Sequence, residues 1–328
     1  MTIRVGLVGT GYAARVRAEA LSSDGRSQLL AVAGHSHTAT FAAAHGIQAV
    51  GHWQYLLNDP AIDLVVVANV SALHGEIVAA ALNAGKHVVV EYPLSLDVDQ
   101  AERLVQLADS KGLLLHVEHI ELLGGLHMAM RQSLPRVGVA SYVSYRTINP
   151  QRPAPIKWSY QLALFGFPFC GALSRVHRLT NLFGRVARVD CCTQMLPNEV
   201  DTAYFKSILS SGRLLFESGV VAELTYGKGE DLWTYHREVE VQGSLGALLF
   251  AGGEGSLTTA DGRQDIPVAP RRGLFVKDTA MVLDYLTQGS PLYVSAAESV
   301  YALRVGDALR RASVSGQTIY LDDDYGDR

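Results

Sequence analysis

Short, nearly unbroken apolar runs open the chain at positions 4–8, 29–34, 64–68, 87–91 and 113–117. Between them, positions 14–21, 38–45, 73–84 and 97–111 carry apolar residues at three- and four-residue intervals. Val- and Leu-rich strands without polar alternation are those buried on both faces. Residues 1–120 therefore predict a parallel sheet with helices on both sides. Asp97 is placed to cap the helix after it, and Gly85 and Gly112 fall just past helix ends. From residue 121 the period changes. A helix over 121–133 leads into alternating stretches at 141–148, 186–194, 213–216, 220–226, 237–242 and 247–250. Gly243-Ser-Leu-Gly246 makes a tight connection between the last two. Successive period-two strands predict one open, largely antiparallel sheet, and 277–286 and 296–311 predict closing helices. The expected fold is α/β followed by α+β. It has a doubly wound Rossmann domain over 1–120 and an open-sheet domain with closing helices over 121–328.

Composition agrees with two buried cores: 328 residues, 48% hydrophobic and 18% charged. A net charge of −4 supplies no basic field for nucleic acid. No apolar run approaches the roughly 20 residues of a membrane span. The N-terminus enters a strand at once, so neither membrane insertion nor a signal peptide is expected. Three cysteines, Cys170, Cys191 and Cys192, have no metal-type spacing and are expected as buried free thiols in a reducing cytoplasm. No His/Glu/Asp spacing demands a metal. The oligomeric state stays open, because the outer sheet face can meet solvent or a second copy.

Chemistry enters at Val8-Gly-Thr-Gly-Tyr-Ala-Ala14, which follows a strand and opens a helix. Gly9 permits the tight turn, Gly11 lets backbone approach a pyrophosphate, and Ala14 lets helix and strand pack closely. The helix start, at Tyr12 and Ala13, offers aligned N–H groups and a positive dipole end. A dinucleotide site is expected. NAD enzymes place a carboxylate about 20 residues on to hold the ribose 2′-hydroxyl, but the second strand here ends Gly34-His-Ser-His37. Nothing there repels a 2′-phosphate, Ser36 can hydrogen-bond one, and His37 or Arg15 can add charge. NADPH is the expected cofactor. Ser36 and His37 can equally cap the next helix. Asn69 and His74, after a further strand, are candidate cofactor contacts.

The fingerprint, the Asn69/His74 segment, the Glu91-Tyr-Pro93 triplet and the Val241-Gln-Gly-Ser-Leu-Gly246 hairpin together resemble the glucose–fructose oxidoreductase/inositol dehydrogenase family. The likeness spans essentially the whole chain and implies a Rossmann domain followed by an open-sheet domain, with Glu91 among the cofactor contacts. That family carries Glu-Lys-Pro where this chain has Tyr92. Many members also carry an Asp-x-Gly-x-x-x-His-like pair in the second domain, whose histidine exchanges protons with the substrate, and Cys170 and Ser174 fall near those two places here. Both parts for alcohol oxidation are missing. One branch, the biliverdin reductases, shares Glu-Tyr-Pro. This chain resembles that branch, and most of all its cyanobacterial type, at 116–123, 165–168, 173–178, 226–230 and 271–275.

The resemblance implies NADPH-dependent reduction of biliverdin to bilirubin, with hydride to the central methine carbon and a proton to a pyrrole nitrogen. Such a reaction deprotonates no hydroxyl, so it requires neither the lysine nor the histidine. Two alternatives stay open: a sugar or polyol dehydrogenase of the parent family, and a non-catalytic bilin- or NADPH-binding protein. The candidate catalytic residues are Arg175, Tyr92 and Glu121. Arg175 stays protonated and can polarise the bilin or hold a donating water. Tyr92, at a strand end, can position bilin or nicotinamide. Glu121, or Glu118 before it, becomes a general acid if its pKa is raised. Candidate substrate contacts are Arg178, one turn beyond Arg175, together with Tyr145, Arg146 and Lys228. The pattern does not say which sheet face these occupy.

Overall fold

A computed structural model describes residues 2–35 and 37–321. Six parallel strands form the first sheet: β1 (Ile3–Val8), β2 (Ser27–Ala33), β3 (Gln48–Val50), β4 (Leu64–Val67), β5 (His87–Glu91) and β6 (Leu115–Glu118). Their order is β3-β2-β1-β4-β5-β6, with the topological switch point between β1 and β4. The longer helices are α1 (Tyr12–Ser23), α2 (Thr38–His45), α3 (His74–Asn83) and α4 (Val98–Lys111). Val5, Leu7, Val32, Leu64, Val66 and Val89 of the sheet pack with Ala14, Ala18 and Leu21 of α1. Asp97 caps α4 as expected, its carboxylate accepting from the Gln100 N–H at 2.7 Å. Strand β3 escapes the pattern because three largely exposed residues carry no period.

The second sheet has nine strands. They are β7 (Ala140–Pro150), β8 (Val186–Pro197), β9 (Phe205–Phe216), β10 (Val221–Gly229), β11 (His236–Gly243), β12 (Gly246–Ala251), β13 (Glu254–Thr259), β14 (Gly262–Ile266) and β15 (Ile319–Tyr320). In the order β14-β13-β12-β11-β7-β10-β9-β8-β15 every neighbouring pair is antiparallel except β7–β10. The mixed α/β reading therefore holds, with a parallel sheet followed by a mostly antiparallel one. Strand β9 starts eight residues before the predicted 213, because serines interrupt its alternation. Helices α5 (Gly125–Ser133) and α6 (Ser174–Phe183) belong to this second part, and α7 (Leu274–Gln288) and α8 (Ala296–Ser315) close the chain.

The domain division needs correction. One compact unit comprises Met1–Leu123 with Arg272–Val300, and the other comprises Gly124–Arg271 with Tyr301–Arg328. The contiguous 121–328 domain does not exist, because α7 returns to the first unit and buries Val282 and Leu283 in the core of the parallel sheet. Periodicity reveals that a helix has an apolar face but not which sheet receives it.

Candidate functional site

The carboxyl edge of the parallel sheet gathers the cofactor candidates. Gly9 has φ +118, and a Cβ there would lie 2.2 Å from the Ala68 carbonyl oxygen, so both conformation and space demand glycine. Gly11 precedes the first turn of α1, and a Cβ on it would meet nothing within 4 Å. Open space over a helix start, with the Tyr12 and Ala13 N–H groups beneath, suits a pyrophosphate. Ala14 is fully buried, as close helix–strand packing requires. Asn69 adds a buried Oδ1 with no hydrogen-bond partner among the described residues, an acceptor left for a ligand donor. These residues fit a dinucleotide. His37 is the exposed N-cap residue of α2, without a side-chain capping bond, and Ser36 lies outside the described residues. Arg15 is exposed and pairs with Glu19 at 2.9 Å.

His74, also a cofactor candidate, turns its ring toward the protein's own backbone. It is buried, with Nδ1 2.7 Å from the Pro93 carbonyl and Nε2 3.2 Å from the Asn69 carbonyl. Burial lowers its pKa, so the neutral ring has one N–H, which the shorter contact to Pro93 takes. Through that one bond His74 ties the start of α3 to the Glu-Tyr-Pro turn.

Beneath that turn lies a buried charge network that the sequence reading largely missed. Glu91 and Glu118 stand in register at the ends of neighbouring strands β5 and β6. Arg17 of α1 donates from Nε to Glu91 at 3.0 Å, from Nη1 to Asp278 of α7, and from Nη1 to Thr279 Oγ1 at 3.1 Å. Asp278 also accepts from His116 Nε2 at 2.8 Å and from the Tyr293 hydroxyl at 2.7 Å. Burial alone would raise the Asp278 carboxyl, but Arg17, His116 and Tyr293 outweigh it and hold the group well below the usual carboxylate range. Glu118 goes the other way, pushed well above that range by burial and then by Glu91. Tyr92 stacks flat on His119, with centroids 5.3 Å apart and planes at 6°. Glu121, preferred from sequence as the acid, is half-buried in the turn Ile120–Leu122, whereas the carboxyl with the raised pKa is Glu118. One signal was available for Arg17. It falls on the buried Ala14–Ala18–Leu21 stripe of α1, where a charge needs a partner.

In the second unit, alternation settles the faces. Val143 and Tyr145 of β7 and Ala222, Leu224, Tyr226 and Lys228 of β10 point to the buried side. Arg146 points to the other side, where it pairs with Glu238 of β11, so it does not share a site with Tyr145 and Lys228. Arg175, half-buried in the first turn of α6, places its guanidinium 5.4 Å from the Tyr226 ring and donates to Ser174 Oγ at 3.1 Å. Arg178 is buried, 5.8 Å from the Tyr145 ring. Lys228 is only 6% exposed. Its ammonium donates to the Ser159 carbonyl and lies 3.9, 4.7 and 5.2 Å from the Phe165, Tyr160 and Phe205 rings. Burial, then the charges of Lys157 and Arg175, pull its pKa down to about 7. Lys228 thus ties its strand to the turn at Ser159, with its ammonium shielded from solvent. Of the three free cysteines only Cys170 is buried, since β8 turns Cys191 and Cys192 partly outward. Among the described residues no group of three or more His, Cys, Asp and Glu side chains could hold a metal.

The model of the oxidoreductase family with NAD-binding Rossmann fold, which unites glucose–fructose oxidoreductase and inositol dehydrogenase, matches residues 3–119. A solved biliverdin reductase from Synechocystis sp. PCC 6803, in complex with biliverdin and NADP+, superposes with a TM-score of 0.93 at 49% identity. That match covers 94% of this chain and 98% of the other. The chain belongs to this oxidoreductase family. Human biliverdin reductase A is 29% identical over 56% of this chain and 59% of its own length. The uncharacterized oxidoreductase YdgJ of Escherichia coli is 32% identical over 63% of this chain and 62% of its own. The chain thus spans about three fifths of the length of these two curated relatives. Among the described residues no helix is long and apolar enough to cross a membrane.

Proposed function

We propose that this oxidoreductase uses NADPH to reduce biliverdin to bilirubin. The observation carrying this reading is 49% identity, over nearly the full length of both chains, to a reductase whose structure holds biliverdin and NADP+. The residues add chemical support. At position 92 a phenol replaces the amine that an alcohol dehydrogenase of this family would use, and a phenol ordinarily titrates near pH 10. A site lacking that amine is suited to an acceptor whose reduction removes no hydroxyl proton.

When bound, NADPH supplies the hydride that goes to the central methine carbon, and one proton goes to a pyrrole nitrogen, leaving NADP+ and bilirubin. This chain's own residues bind and orient. The backbone at Gly11, Tyr12 and Ala13 takes the pyrophosphate, and the Asn69 amide takes a further polar group of the dinucleotide. The absence of a carboxylate from 34–37 admits the 2′-phosphate. Tyr92 is held flat by His119, and Arg175 supplies positive charge and a place for the water that delivers the proton.

Absorption followed over time with biliverdin and NADPH tests the reading. The expected result is decay of the long-wavelength biliverdin band with growth of a bilirubin band, and much slower change with NADH. A shifted band that persists would make the protein a bilin binder. Turnover of polyols with NADP+, and none of biliverdin, would return it to the parent family's chemistry.

A further inference from the structure

Two carboxyl groups stand side by side at the ends of β5 and β6, one of them shut off from water. Glu118 is 1% exposed, and Glu91 is half-buried behind Arg17. One Glu118 oxygen accepts the Ile120 N–H at 2.5 Å, and Glu118 pairs in register with Glu91 on the neighbouring parallel strand, which sends both side chains off the same face of the sheet. Two carboxylates have only acceptors to offer each other, so a hydrogen bond between them requires that one carry a proton. Charge says which. Glu91 takes the Arg17 Nε–H, while Glu118 has no cation in hydrogen-bond contact. Were both ionised, they and Asp278 would set three negative charges around one guanidinium in a dry site.

We propose that Glu118 is a positioning residue of the cofactor site, a neutral carboxylic acid that donates its proton to Glu91 and so fixes the Glu-Tyr-Pro turn. The chain of contacts is continuous. Glu118 holds Glu91, Glu91 holds Arg17 on α1, and Glu91 directly precedes Tyr92. The same Glu118 carboxyl fixes the Ile120 N–H just beyond His119, on which Tyr92 stacks. One proton therefore ties the helix of the glycine fingerprint to the residue that replaces the family's lysine. The groups facing it are Glu91 on β5, Arg17 on α1, Asp278 on α7 and Tyr293 ahead of α8, with His116 on its own strand. The inference rests on the first unit being a dinucleotide site, not on the identity of the bilin.

The test uses the full chain without biliverdin. An infrared difference spectrum between wild type and Glu118→Gln at neutral pH should contain the carbonyl stretch of a protonated carboxyl, lost in the variant. Its absence would overturn the proposal. A glutamine amide can donate to Glu91 and accept from Ile120, so Glu118→Gln should bind NADPH within about twofold of wild type. Glu118→Ala leaves Glu91 without its donor and should bind about tenfold more weakly, the scale of one hydrogen bond to a charged group. Glutamine as damaging as alanine would also overturn it. The pH dependence has a definite sign. A folded-state pKa above the ordinary 4.5 gives stability that is complete below that value and lost as pH rises through the folded value. Wild-type melting should therefore fall with rising pH relative to Glu118→Gln, and parallel profiles would count against the proposal. A wild type that melts normally yet binds no NADPH would instead overturn the cofactor reading, and the infrared band would still decide where the proton sits.

Discussion

Arg17→Met is expected to cost about 3–5 kcal/mol of unfolding free energy, the scale for breaking a buried ion pair from one side. Methionine fills similar volume, so the loss comes from charge rather than from a cavity. Arg17 and Asp278 have side-chain exposures of 2% and 0%, and Glu91 has 15%. Without the guanidinium, the two carboxylates face each other across a site that excludes water. His116 and Tyr293 still bond Asp278, but nothing replaces the charge. In the wild type the Asp278 pKa is held far down, so its contribution to stability is complete at neutral pH and is lost only in strong acid. In the variant the stranded carboxylates take up protons more readily. The gap between the two proteins should therefore narrow as pH falls from about 7 toward 5. Urea unfolding across that range measures it. An unchanged midpoint at pH 7 would mean that the network contributes nothing to stability, and a gap that widens on acidification would contradict its assigned charges.

Arg175→Ala is expected to lower biliverdin turnover about 10²-fold, the scale for removing one preorganised group that stabilises developing charge. NADPH affinity should stay within about twofold, because the residues proposed to hold the dinucleotide, Gly9–Ala14 and Asn69, lie in the other unit. Arg175 sits in the first turn of α6 with its guanidinium over Tyr226, half-buried. Arg178 is a useful contrast. It is 1% exposed above Tyr145, so Arg178→Ala should register first in the unfolding midpoint. Single-turnover rates and NADPH titrations on both variants separate the two roles. Equal losses of turnover and NADPH binding in Arg175→Ala would end its assignment to the chemistry.

What was legible in the sequence follows from what each signal measures. The parallel strands were visible because burial on both faces leaves uninterrupted Val and Leu, and the fingerprint glycines were visible because geometry admits no substitute at Gly9. Strands β13 and β14 were not, since Glu254–Thr259 and Gly262–Ile266 are mostly polar and each brings one large apolar residue, Leu257 and Ile266, to the buried side. Lys228 illustrates a different limit. A lysine at a strand end suggests a partner for an acid, and only three-dimensional packing reveals the ring of aromatics that encloses it. Glu121 was preferred over Glu118 because both follow the same strand, and a one-dimensional pattern cannot tell which faces inward. Arg17 was detectable in principle, as a charge on a buried stripe, but its partner Asp278 lies 261 residues away.

That separation bears on how the chain is made. The first unit takes its last segment from Arg272–Val300, after the whole of Gly124–Arg271 has been read out. During synthesis Arg17 and Glu91 leave the ribosome long before Asp278 and Tyr293, so the parallel sheet waits with Arg17 paired to Glu91 alone. N-terminal domains ordinarily fold first as they emerge. Here each unit waits for a late segment, the first for Arg272–Val300 and the second for Tyr301–Arg328, so full nascent-chain protection of both should appear only near the end of synthesis.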